Sequence, residues 1–183
     1  MQRLLRRLRQ PRSRAAEIAD VRARLRAERA RPASDEERAL ARRMRALRAE
    51  LTAALGQVGA CATCTTGRPW PESAWSGGQC CSGHTADVFT DDEVAALALS
   101  GTRARDLAPP PGEHAGCAFR GPTGCALDPA DRPSVCARYL CRDLRRELHG
   151  DGRLAALLPL LDELDELWGR FSRSRSDRIP DFF

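Results

Sequence analysis

Lysine is absent from this chain of 183 residues, and so is asparagine; all 30 basic side chains are arginines. The bias reads as codon usage in a GC-rich genome rather than as an arginine-specific function. Aromatic residues make up only 5% and hydrophobic residues 42%, against 30% charged, which allows one compact domain with a thin core and appendages. No apolar run of about 7–15 residues follows the basic start Met-Gln-Arg-Leu-Leu-Arg-Arg-Leu-Arg-Gln, as a secretory signal requires. No stretch reaches the roughly 18 apolar residues of a membrane span. The expected setting is the cytoplasm, where thiols stay reduced. Glycine-rich phosphate loops, Rossmann fingerprints and nucleophile elbows are all missing, and with them the commonest signs of nucleotide and serine-hydrolase chemistry. Cysteine, too, is missing from both flanks.

All eight cysteines lie between Cys61 and Cys141: Cys61, Cys64, Cys80, Cys81, Cys117, Cys125, Cys136 and Cys141. One local cause is implied, either a thiolate-bound metal or a disulfide framework. A reducing compartment favours the metal. The two-residue gap of Cys61-Ala-Thr-Cys64 lets both sulfurs turn to one point, as a tetrahedral thiolate site needs. Cys80 and Cys81 are adjacent, and neighbours on an extended chain point opposite ways. Gly77, Gly78 and Gly83 permit the bend that would bring them together. Cys117 and Cys125 bracket a loop with Gly121, Pro122 and Gly124. Cys136 and Cys141 are five residues apart, a full helical turn plus about 140°, so they do not share one helix face. Either one binds while the other packs, or a helix begins between them. His84, three residues after Cys81, is a spare ligand; His114 is a weaker one, and His149 suits a helix C-terminus.

These blocks resemble the YkgJ-like, or CxxCxxCC, family of zinc- or iron-chelating cysteine-cluster proteins. The matching residues are Cys61-x-x-Cys64, Gly78-Gln79-Cys80-Cys81, Phe89-Thr90-Asp91-Asp92-Glu93-Val94, Cys117-Ala-Phe119, Gly124-Cys125-Ala-Leu127, Arg132-Pro133-Ser-Val-Cys136 and Leu140-Cys141. They span residues 61 to 141. The adjacent pair follows the first pair after fifteen residues, where family members commonly leave two, which sets Cys61 and Cys64 apart. The resemblance implies metal chelation without a settled reaction. A related cluster accompanies some protein lysine methylases. Zinc and an iron–sulfur cluster suit four thiolates equally. The principal site is expected from Cys80, Cys81, Cys117 and Cys136, with Cys64, Cys125, Cys141 and then Cys61 as further candidates.

The rest of the chain predicts a mainly α fold around an irregular, turn-rich cysteine core. Residues 1–56 form a basic helical arm or hairpin, 57–149 the metal-binding domain, 150–171 an acidic amphipathic helix and 172–183 a mobile tail. In the arm, Ile18, Val21 and Leu25 make one stripe and Leu40, Met44, Leu47, Leu51 and Leu55 another. The first is followed by Arg31-Pro32; the second opens on the capping box Ser34–Glu37 and stops at Gly56. The two helices are expected as an antiparallel pair or as the seam of a homodimer. Thr90–Glu93 reads as a second capping box, for a short helix ending at Gly101. Pro133 starts a single helix carrying Cys136, Tyr139, Leu140, Cys141, Leu144 and Leu148. The last helix has the stripe Leu154, Leu157, Leu158, Leu161, Leu164, Leu167, Trp168 and Phe171, and Pro159 predicts a kink or a late start. Trp70 and Trp75 are placed as a dry shell over the cluster.

Residues 1–56 hold sixteen arginines against seven acids; the remainder holds fourteen against eighteen, which gives the overall charge of +5. The acidic last helix therefore suits the basic arm, in cis or across a dimer. No aromatic is interleaved with the arginines, and base stacking needs one, which argues against a nucleic-acid partner. The function expected is a metal-binding module with a structural, regulatory or electron-transfer role, ahead of an enzymatic one. The alternatives are an iron–sulfur enzyme or subunit in redox or protein-methylation chemistry, and a nucleic-acid-binding protein with a structural zinc.

Overall fold

Helix α4, Asp91–Leu99, is buried without a break from Glu93 to Ala98, so it must be covered on both sides. The computed structural model describes residues 13–60, 85–111, 116–121 and 124–176. Its other helices are α1 (Arg14–Arg29), α2 (Asp35–Leu55), α3 (Thr85–Val88), α5 (Ser134–Arg138), α6 (Arg142–Gly150) and α7 (Leu154–Ser176). A two-residue hairpin, β1 (Arg120–Gly121) against β2 (Gly124–Cys125), and a 3-10 turn, Pro129–Asp131, lie between α4 and α5. The fold is mainly α, and no helix among the described residues is long and apolar enough to cross a membrane.

The main contacts run α1 to α4, α4 to α2, and α2 to α7. Val94, Leu97 and Ala98 of α4 join Ile18, Val21 and Leu25 of α1 with Phe89, Leu107, Phe119 and Leu127. Ala95 and Ala96, on the other side, meet Leu40, Met44, Leu47 and Leu51 of α2. Alanines there let two helix backbones approach closely. The far side of the α2 stripe is filled by Leu157, Leu161, Leu164, Leu167 and Phe171 of α7. Both arm stripes are thus core, as their spacing predicts. The expected pairing of α1 with α2 is corrected: α4 is wedged between them. The expected dimer seam is likewise occupied within the chain by α7.

Ser34 and Glu37 form both halves of the capping box, at 3.1 and 2.7 Å, and α2 stops at Gly56, whose φ of 59° lies in the left-handed region. The acidic face of α7 meets the arm in cis: Arg43 bonds Glu163 at 2.7 Å and Arg170 bonds Glu36 at 3.3 Å. These pairs are exposed and add little stability.

Five expectations about the last third are corrected, wholly or in one of their alternatives. The single helix from Pro133 is two, because Tyr139 is extended (φ −78°, ψ 110°) and α6 begins at Arg142. Pro133 itself caps α5 from outside its first turn. Pro159 causes no late start: α7 runs from Leu154, and the one lost hydrogen bond leaves the carbonyl of exposed Ala155 to water. Leu158 is 45% exposed and outside the core stripe. The helix also continues past Phe171 to Ser176, because Arg175 bonds Asp92 at 3.0 Å and Glu28 at 3.3 Å.

Candidate metal centre

Cys117 is buried in the cluster that α1 and α4 share, and Cys125 packs against the same cluster. The hairpin brings them together. Arg120 pairs with Cys125 across it, and Gly124 supplies the positive φ of 123° that turns the chain back. The backbone N–H of Phe119 donates to the Cys117 sulfur, and the Thr85 hydroxyl lies within hydrogen-bond reach of it. That hydroxyl has one proton, which it donates to Glu17 at 2.5 Å, while it accepts the Ala118 N–H at 2.8 Å. Nothing in the sequence around Thr85 or Glu17 marks either residue.

Burial pushes the Cys117 thiol up to about 11, against the pull of the Phe119 N–H; the neighbouring Cys125 and Glu17 push the same way. Without a metal, Cys117 is a neutral thiol at pH 7. Its proton is held more tightly in the folded chain than in the unfolded one, so its stabilising contribution is complete below pH 9 and is lost as pH rises through 11. In metal-free protein that loss should amount to about 2–3 kcal/mol. Urea titrations of wild type and Cys117→Ala from pH 8 to 11 should converge; parallel curves would mean the thiol is not buried in this way.

The other two described cysteines lie elsewhere. Cys136 is on α5. Cys141 is the N-cap of α6, where its sulfur accepts the Leu144 N–H at 3.4 Å, and it packs against the α2–α7 core. The five-residue spacing is thus resolved by a helix that begins immediately after the second cysteine. His149 sits exposed in the last turn of α6, as expected for a helix C-terminus. Cys61, Cys64, Cys80, Cys81, His84, His114, Trp70 and Trp75 lie outside the described residues. Among the described residues no two cysteines form a disulfide, and no three Cys, His, Asp or Glu side chains gather closely enough to hold a metal ion. A four-thiolate shell therefore needs cysteines from the 61–84 segment.

That segment leaves and re-enters the fold at two anchored points. The N–H groups of Gly59 and Ala60, just before Cys61, donate to the Glu147 carboxylate of α6, each at 2.8 Å. Thr85, just after His84, touches Cys117.

A buried polar network ties the α5 region to the core. The Glu93 carboxylate accepts the Ser134 N–H at 2.8 Å and the Val135 N–H at 3.0 Å. Arg48, fully buried, donates to the Ala130 carbonyl and to the Ser134 hydroxyl, both at 3.2 Å. Arg45 pairs with Asp131, whose carboxylate also accepts from Thr102 at 2.6 Å. Thr90 caps α4 by accepting the Glu93 N–H at 3.3 Å, but the Glu93 side chain reaches away to α5. The second capping box is thus only half formed, which corrects the reading from the pattern. Two of the blocks that carry the family resemblance, Phe89–Val94 and Arg132–Cys136, are joined through this one carboxylate.

Comparison with known proteins adds no identity: no protein-family model, curated protein or solved structure matches the chain.

Proposed function

We propose that this chain binds a metal, zinc or an iron–sulfur cluster, through thiolates centred on Cys117 and Cys125, as a module without catalytic activity of its own. One observation supports it above the others: Cys117, just before a tight hairpin, and Cys125, on its second strand, share one cluster at the point where the segment bearing Cys80 and Cys81 rejoins the fold. Three residues separate Cys81 from Thr85, four chain steps with a reach of at most about 14 Å. A lone buried cysteine is ordinarily a small hydrophobe. Two thiols packed in one cluster, close enough for Cys125 to act electrostatically on Cys117, with a backbone N–H aimed at the Cys117 sulfur, suit a thiolate ligand better: the N–H stabilises sulfur once its proton has left. The reading takes Cys125 in place of Cys136, because the hairpin brings Cys125 to Cys117 while Cys136 lies on α5. The YkgJ-like resemblance points to the same chemistry.

Metal binding must displace the Cys117 proton, so affinity should rise by about tenfold per pH unit for each such thiol between pH 6 and 9. The deciding experiment is anaerobic purification followed by elemental analysis and a visible spectrum. A colourless protein with stoichiometric zinc, or a coloured one with iron and sulfide, is expected. A folded chain with less than a tenth of an equivalent of either metal would end the proposal.

A further inference from the structure

We infer that the arginine-rich face formed by α1, α2 and the loop after α4 docks the phosphate backbone of a duplex nucleic acid. Three hydrogen bonds draw two helices onto that loop. Arg22 of α1 donates to the Leu107 carbonyl at 3.2 Å, and Arg29, two turns on, to the Gly101 carbonyl at 3.4 Å. Arg45 of α2 donates to the Thr102 hydroxyl at 3.0 Å. The loop adds Arg103 and Arg105, both mostly exposed.

The helices supply further cations beside these contacts. Arg26 lies on the same flank of α1 as Arg22 and Arg29, and Arg38 and Arg42 lie along the flank of α2 that carries Arg45. All three are exposed, and none makes an ion pair with a described residue. The acids on this face are few. Asp106 is engaged by Arg103 at 3.2 Å, Asp131 is buried beneath Arg45, and Asp35 stands at the edge. The acidic helix α7 packs on the other flank of α2, where its Glu163 is taken by Arg43.

Among the described residues this surface offers guanidinium forks without aromatic or apolar side chains beside them. Arginine suits phosphate oxygens because its planar donors match their geometry. Single strands need aromatic platforms, but Phe89, Phe119 and Phe171 are buried, while Tyr139 and Trp168 lie on the α5–α7 side. Among the described residues this face has no aromatic for stacking, which leaves phosphate contact open. Membrane docking by a basic helix also needs apolar residues beside the charges. The exposed large hydrophobics among the described residues are Val135, Tyr139 and Leu158, none of them on this face. A duplex backbone, read without sequence preference, is the anion that remains.

The test is fluorescence anisotropy of a mixed-sequence 20-bp DNA duplex titrated with the full chain. Micromolar binding in 50 mM salt is expected, weakening on the order of a hundredfold by 200 mM, as about four phosphate contacts require. Arg26→Glu with Arg42→Glu should lower affinity at least tenfold and flatten the salt dependence. Arg146→Glu, exposed on α6, should change neither. Unaltered binding by the double variant would overturn the inference. So would equal or tighter binding to oligo(dT) or to phosphatidylserine vesicles, or no binding to the duplex at 50 mM salt.

Discussion

Replacing Glu93 with alanine is expected to cost about 3–5 kcal/mol of folding stability, the range for removing one partner of a buried charged network. Three donors depend on this carboxylate or its field. The Ser134 and Val135 N–H groups open α5 and have no acceptor within their own helix. The Arg48 guanidinium, held down to about 10 by burial, is offset first of all by Glu93, and its Nη2 already finds no hydrogen-bond partner among the described residues. Glutamine is not a neutral substitute. The two N–H groups use the two carboxylate oxygens separately, and an amide offers one oxygen and sets its NH2 against the other N–H. Glu93→Gln should therefore cost about 2 kcal/mol. Urea unfolding at pH 7 measures both. A loss under about 1 kcal/mol for alanine would mean that the network does not bear on stability.

The same carboxyl should give stability a pH slope. Burial holds Glu93 above its ordinary 4.5, outweighing the two N–H bonds and Arg48. The folded chain thus binds this proton more tightly than the unfolded chain. The contribution of Glu93 is greatest in acid and weakens as pH rises through its folded value. Glu93→Gln should flatten that part of the curve.

Glu93 also shows how far local pattern reaches. Ser34-x-x-Glu37 and Thr90-x-x-Glu93 are the same signal, and only the first forms a full box. At Glu93 a stronger claim comes from helix α5, 41 residues later, and no four-residue window contains it. The arm is a similar case. The stripes on α1 and α2 were legible because each buries its own face, but their partners were not. A short connector suggests that they pair, and only the alanines of α4 hint that a third helix slips between. The break at Tyr139 carries no glycine or proline to mark it; the five-residue gap between Cys136 and Cys141 is its one trace. In the candidate metal centre, the cysteines announce themselves by residue type. Thr85 and Glu17 reach Cys117 through long-range packing, and a hydroxyl or a carboxylate alone carries no such signature.

If the proposed centre forms, Cys117→Ser with Cys125→Ser should remove its metal and at least about 5 kcal/mol of stability, since metal-binding free energy is folding free energy when the unfolded chain lacks a formed site. For a chain of this size that corresponds to a fall in Tm of roughly 10–20 °C. Serine hydroxyls in a buried site add a cost of their own, about 1–3 kcal/mol each, which must be separated from the metal. A strong chelator separates them. If metal accounts for the difference, wild type and the double variant should approach one another in chelator, apart from the serine cost. If packing accounts for it, the gap should persist unchanged. Cys136→Ser is the informative comparison, because the expectation from sequence alone put Cys136 in the shell and the hairpin geometry favours Cys125. Metal retained in Cys136→Ser and lost in Cys125→Ser would place the centre at the hairpin. The reverse result would move it to α5, where Glu93 holds the backbone one and two residues before that cysteine, and the Glu93 variants would then lose metal as well as stability.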